Sequence, residues 1–170
     1  MLTETNILHG AGVLLNEGLR KAFREQGHTL TGGWERSINA TVSGNHIIGE
    51  ANYYGGILDS GVTPGRIPFG GARSGPVGGK SKYIQALYLY WKQRGLPDKQ
   101  AMSAAFATAH KQKTEGMPTA ASNRFSSTGK RVQFISGVEK EVMPDVDRQV
   151  QKGLDQLINE RLKEPKTKVY

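Results

Sequence analysis

The sequence predicts an α+β fold. Apolar residues recur at helical spacing near both ends of the chain, an alternating segment with a central turn spans 37–52, and two further helical patterns fill 81–118. The 170 residues make one ordinary domain, and 36% hydrophobic content is enough for a buried core. There is no cysteine, so disulfides, thiolate metal sites and cysteine nucleophiles are excluded.

The elements follow in order. Leu8, Ala11, Leu15, Leu19, Ala22 and Phe23 form a helical stripe, with Thr3 or Thr5 as cap and Gly27 as stop, so a helix is expected over 5–26. Thr31-Gly-Gly33 is a turn. Ile38, Ala40 and Val42 then alternate with Ser37, Asn39 and Thr41, the period of a half-buried strand. Ser43-Gly-Asn45 turns the chain into a second alternating run, His46–Asn52, which completes a β-hairpin. Tyr53–Ser60 reads as a short helix. Residues 61–80 hold seven glycines and three prolines and read as a loop or arm. Ser81 caps a helix with the face Ile84, Leu87, Tyr88 and Trp91, which Gly95 ends. Pro97 opens the next helix, with the stripe Met102, Phe106 and Ala109, and Gly116-Met-Pro118 ends it. Thr119–Arg131 reads as a polar, basic loop. Ser136-Gly-Val-Glu139 is a capping-box signature for a last helix. Its four-spaced ridge runs from Val138 to Leu162, with a kink or restart expected at Pro144. A basic tail, 164–170, follows.

The division expected from these patterns is a single domain. Its frame is 5–69 with 132–163, and it carries the 61–80 arm and an 81–118 helical insert. The formal charge of +8 is uneven. Residues 1–60 carry −2, residues 136–170 are neutral, and residues 61–135 carry twelve Lys/Arg against Asp98 and Glu115. A basic segment of this kind suggests an anionic partner. The candidate contact surface is Arg66, Arg73, Lys80, Lys82, Lys92, Arg94, Arg124, Lys130 and Arg131. Interleaved aromatics such as Tyr83, Tyr88, Tyr90 and Trp91 suit nucleic acid, although Tyr88 and Trp91 fall on the apolar stripe. The alanine-rich 104–109 leaves few side chains to read bases.

No catalytic constellation emerges, and a non-enzymatic protein without cofactors is expected. Gly75-Pro-Val-Gly-Gly-Lys80-Ser81 imitates a phosphate loop. Ser74, however, occupies the place of the required first glycine, and no apolar strand precedes it. His9, His28, His46 and His110 lack metal-ligand spacing. Glu50 and Asp59 flank Tyr53-Tyr54 without a nucleophile or partner base. No apolar run reaches the ~18 residues of a membrane span. Met1–Asn6 has neither a basic nor an apolar leader region, so no secretory signal is expected.

One segment carries a resemblance. Tyr54-Gly-Gly-Ile-Leu-Asp-Ser-Gly61, followed by Val-Thr-Pro-Gly-Arg66-Ile-Pro-Phe69, resembles a signature of tailed-bacteriophage neck and tail-completion proteins. Tyr54, Leu58, Asp59, Gly61, Pro68 and Phe69 occupy its places, with Asp59 where the family more often has Glu. The likeness covers about 5–69 and the final helix, and 83–118 looks like an insert of some tail-associated relatives. It implies N- and C-terminal helices packed on a small antiparallel sheet. It also implies a virion protein assembled in the bacterial cytoplasm, in a ring of six or twelve copies between portal or adaptor and tail tube. Head–tail joining, tail completion or a minor-tail role would fit, as would non-specific contact with packaged DNA. The expected roles are structural: Asp59 accepting N–H groups in its turn, and Phe69 anchoring the arm. The alternative is a basic nucleic-acid-binding protein.

Overall fold

The structure is a computed structural model that describes residues 2–28, 30–70 and 81–163. It is an α+β fold, and the chain divides into two compact units, 1–59 with 125–170 and 60–124. The boundary differs from the one drawn on sequence, because residues 60–69 pack with the helical insert rather than with the frame.

In the first unit, helix α1 spans Glu4–Glu25. Thr3 accepts the Asn6 N–H and completes a capping box with it. Helix α2 spans Gly33–Ser37, where the sequence suggested only a turn leading into a strand. Strands β1 (Asn39–Ser43) and β2 (His46–Glu50) then form an antiparallel hairpin with Val42 opposite Ile47. Helix α3 spans Tyr54–Ser60. α1 lies on this hairpin, with Gly12 against Ala40 and Ile47. Its other flank receives the last helix, Phe134–Lys163, which runs antiparallel to it: Gly18 meets Val138 and Val142, and Ile7 meets Gly153. Glycines at these crossings let the two backbones approach closely.

That last helix departs from expectation twice. It begins at Phe134, two residues before the capping box read at Ser136, because an acceptor from elsewhere in the chain serves its first turn. Of the kink or restart expected at Pro144, the restart does not occur: the helix runs unbroken through that exposed proline. One lost N–H bond in a 30-residue helix is outweighed by packing along α1.

The core of this unit is aromatic. Phe23 stacks on Trp34 with centroids 4.7 Å apart, and Phe134 meets Trp34 edge-on at 5.1 Å. Ile38, Tyr54 and Leu58 complete the cluster. The Trp34 indole donates to the Asn52 carbonyl at 3.1 Å, so its polar atom is satisfied inside the core.

In the second unit, α4 (Lys82–Gln93) and α5 (Asp98–Glu115) form an antiparallel hairpin. We number the last helix, Phe134–Lys163, α6. Ser81 caps α4 by accepting the Ile84 N–H. Ile84, Ala105, Phe106 and Ala109 meet in the hairpin core, joined by Ile67 and Phe69 from the preceding segment. Val62 and Met117 exchange both backbone bonds and close the unit. A 3-10 turn at Pro64–Arg66 and another at Ala120–Phe125 occupy stretches read as loop. The rest of the arm, 71–80, and the basic tail, 164–170, lie outside the described residues.

Two adjacent glycines of α3 provide a test. A Cβ at Gly55 would run into the Trp34 indole, whereas Gly56 faces open space. Gly55→Ala is expected to cost about 1–3 kcal/mol by overpacking. Gly56→Ala is expected to be neutral or to stabilise by about 0.5–1 kcal/mol. Urea unfolding of the two variants checks this; equal effects would show that Trp34 does not lean on Gly55.

Candidate functional site

The signature residues divide between the units. Tyr54 and Leu58 lie on α3 and pack against the Trp34 cluster. Asp59 directly follows Leu58, near the end of that helix. The N–H groups it accepts are not those of its own turn. Its carboxylate takes the Ile135 N–H at 2.7 Å and its carbonyl takes the Gln133 N–H at 2.8 Å. Ile135 is in the first turn of α6, where N–H groups lack helical partners and a negative charge is favoured. Gln133 stands at φ +60, a left-handed conformation unusual outside glycine, and the bond to Asp59 helps hold it there.

In the second unit, Gly61 adopts φ +71, a value that glycine takes without strain. Phe69 is buried against Phe106, and His110 meets it edge-on at 4.8 Å. Pro68, the residue before Phe69, is exposed. Phe69 therefore secures the start of the arm to the α4–α5 core.

The basic residues do several different jobs. Arg131 is half-buried and engaged within its unit: its guanidinium donates to the carbonyls of Gln26 and Gly27, each at 3.0 Å, at the C-terminal end of α1. Ser126 and Ser127 donate to the neighbouring Glu25 carbonyl. The 126–132 segment is thus a cap for α1, a role its polar composition did not reveal. Lys130 is exposed beside it. The cleft there, about 390 Å³, is lined by Glu25 and Glu141 together with Lys130 and Lys140, so it favours neither sign of charge.

On α4 and α5, Lys92 pairs with Asp98 at 2.8 Å, and Lys111 with Glu115 at 2.8 Å. Lys92 and the Tyr88 hydroxyl hold the Asp98 carboxyl below its ordinary range. Lys111 does the same for Glu115, helped by the Ala120 N–H. Arg94 lies over the Tyr90 ring. Arg66, Lys82 and Arg124 are exposed, and Arg73 and Lys80 lie outside the described residues. Among the described residues, no group of three or more His, Asp and Glu side chains gathers as a metal site, and no helix is long and apolar enough to cross a membrane.

In sequence, His28 is one of four histidines without metal-ligand spacing. It stands between the rings of Phe23 and Phe134, and the Arg131 guanidinium is 3.4 Å from its Nδ1. Burial, and then the Arg131 charge, lower its pKa from 6.5 to about 4. Its Nε2 is buried without a partner among the described residues.

Two measurements follow. Asp59→Ala removes the acceptor for the first turn of α6 and is expected to cost about 1 kcal/mol, with Asp59→Asn losing less; urea unfolding reads both, and an unchanged midpoint would contradict the capping role. For His28, the unfolded chain gains its proton near pH 6.5 and the folded chain only near pH 4. This contribution to stability is complete above pH 6.5 and is lost as pH falls from 6.5 towards 4. His28→Phe is expected to flatten that part of the stability–pH curve.

Comparison with protein-family models, with curated proteins and with solved structures finds no match for this chain.

Proposed function

We infer that this chain is a non-enzymatic structural subunit of a tailed-bacteriophage virion. In this reading it assembles as a closed ring in the neck, where tail completion or head–tail connection occurs, between portal or adaptor and tail-tube proteins. The observation that supports assembly most directly is the second half of the α6 ridge. Leu154, Ile158 and Leu162 are 40%, 55% and 78% exposed at four-residue spacing. The helix continues beyond Leu157 for six residues, roughly 9 Å, after its crossing with Ile7 near the start of α1. Ridges of this kind are ordinarily covered by a partner.

The β1–β2 hairpin supports the same reading. A two-stranded sheet is marginal alone, and its edges offer unpaired N–H and C=O groups to a neighbouring subunit. The signature residues fit as structural parts: Asp59 ties α3 to α6, and Phe69 secures the start of the arm. A minor-tail role within the same family would use the same surfaces.

Light scattering coupled to size exclusion tests this. The purified protein is expected at a multiple of its 18.5 kDa chain mass, as rings in negative stain. Ile158→Asp with Leu162→Asp is expected to shift it to monomer without lowering its melting temperature. A strict monomer at every concentration, and absence from particles, would overturn the proposal.

A further inference from the structure

We propose that the open end of the α4–α5 hairpin contacts the phosphates of duplex DNA through Arg66, Lys82 and Lys113. The first ground is where the charge resides. The 1–59 and 125–170 unit holds thirteen Lys/Arg against thirteen Asp/Glu, while the 60–124 unit holds ten against two. The whole net charge of +8 therefore belongs to the smaller unit. Its only two carboxylates, Asp98 and Glu115, are each engaged by a lysine of the same unit, so neither is left to offset the remaining cations.

The second ground is geometry. The Tyr83 hydroxyl bonds to Gln112, which brings the start of α4 beside the end of α5. Lys82 and Lys113 are the next residues along each helix. The Lys113 ammonium lies 3.4 Å from the Ile67 carbonyl, which brings Arg66 to the same end. All three side chains are exposed. Three cations from three different segments thus lie at one end of a small compact unit.

The surroundings select the ligand. An acidic protein partner would need an apolar centre to its interface. Among the described residues of this unit, Leu89 is the one exposed large apolar side chain, and it lies two turns along α4 from Lys82. A polar, cationic surface is the character of a DNA contact. Single strands would need open aromatic faces for stacking. Here Tyr83, Tyr88 and Trp91 pack against the hairpin core, and the Tyr90 ring is flanked by Arg94 and Trp91. Three phosphate contacts of this kind carry charge recognition without base readout.

Anisotropy of a labelled, mixed-sequence duplex tests this. Binding by the full chain is expected to weaken at least about 40-fold between roughly 50 and 200 mM salt. Arg66→Gln with Lys82→Gln and Lys113→Gln is expected to weaken low-salt binding and make the salt slope shallower by about 2.7. Lys21→Gln with Lys140→Gln and Lys152→Gln, which removes the same net charge from the other unit, is expected to leave the slope within error of the parent. No binding at low salt, or equal loss in both variants, would overturn the assignment. So would preference for a single strand or for polyglutamate over the duplex. The proposal is independent of ring assembly: a monomer that binds duplex through these residues keeps it.

Discussion

The larger unit depends on the contact of Trp34 with Phe23 and Phe134. Those rings come from α1, α2 and α6, three elements distant in sequence, and they leave almost no exposed surface. Burying an aromatic side chain fully contributes about 1.5–3 kcal/mol, and stacked or edge-on pairs add to it. Everything nearby is shaped to allow that contact. Gly55 gives up its side chain so that the indole can lie on α3, and the Asn52 carbonyl receives the indole N–H. Arg24 pairs with Glu35 and Arg20 donates to the Ile38 carbonyl, which fixes α2 and the start of β1 on α1. His28 is drawn into the same cluster and is kept neutral by it.

Much of this was legible in the sequence, and the reasons differ by element. α1, the β-hairpin, α3, α4 and α5 follow from local periodicity, glycine stops and caps such as Ser81, all of which act within a few residues. What could not be read depends on distant partners. α2 is only five residues long, and Trp34 holds it through tertiary contacts rather than propensity. The start of α6 moves to Phe134 because Asp59, far away in sequence, serves its first turn. Arg131 counts as one more cation in a composition, and only the fold reveals its bonds to the end of α1.

The same distinction sharpens the charge. On sequence alone the excess falls across 61–135, which includes Lys130 and Arg131. The structural boundary moves both residues into the neutral unit, where Arg131 is occupied with backbone carbonyls. What remains is a hairpin whose two carboxylates are locally matched and whose Lys82, Lys99 and Lys113 are exposed among the described residues. The apolar surface follows the opposite distribution: the exposed ridge of α6 belongs to the neutral unit, and the cationic one has a single exposed large apolar side chain among its described residues. One unit thus carries the surface suited to association, the other the surface suited to a polyanion.

The bond from Asp59 to Ile135 spans 76 positions of sequence. During folding, that bond and the contacts of Phe134 with Phe23 and Trp34 form only when the chain has closed a loop containing the whole 60–124 unit. Loop closure costs entropy that rises only slowly with length, so a compact intervening unit burdens the closure little. Insertions or deletions within that unit are therefore tolerated by the larger one far better than small changes at the clamp. The chain can vary its charged hairpin while keeping the frame that Asp59 fastens.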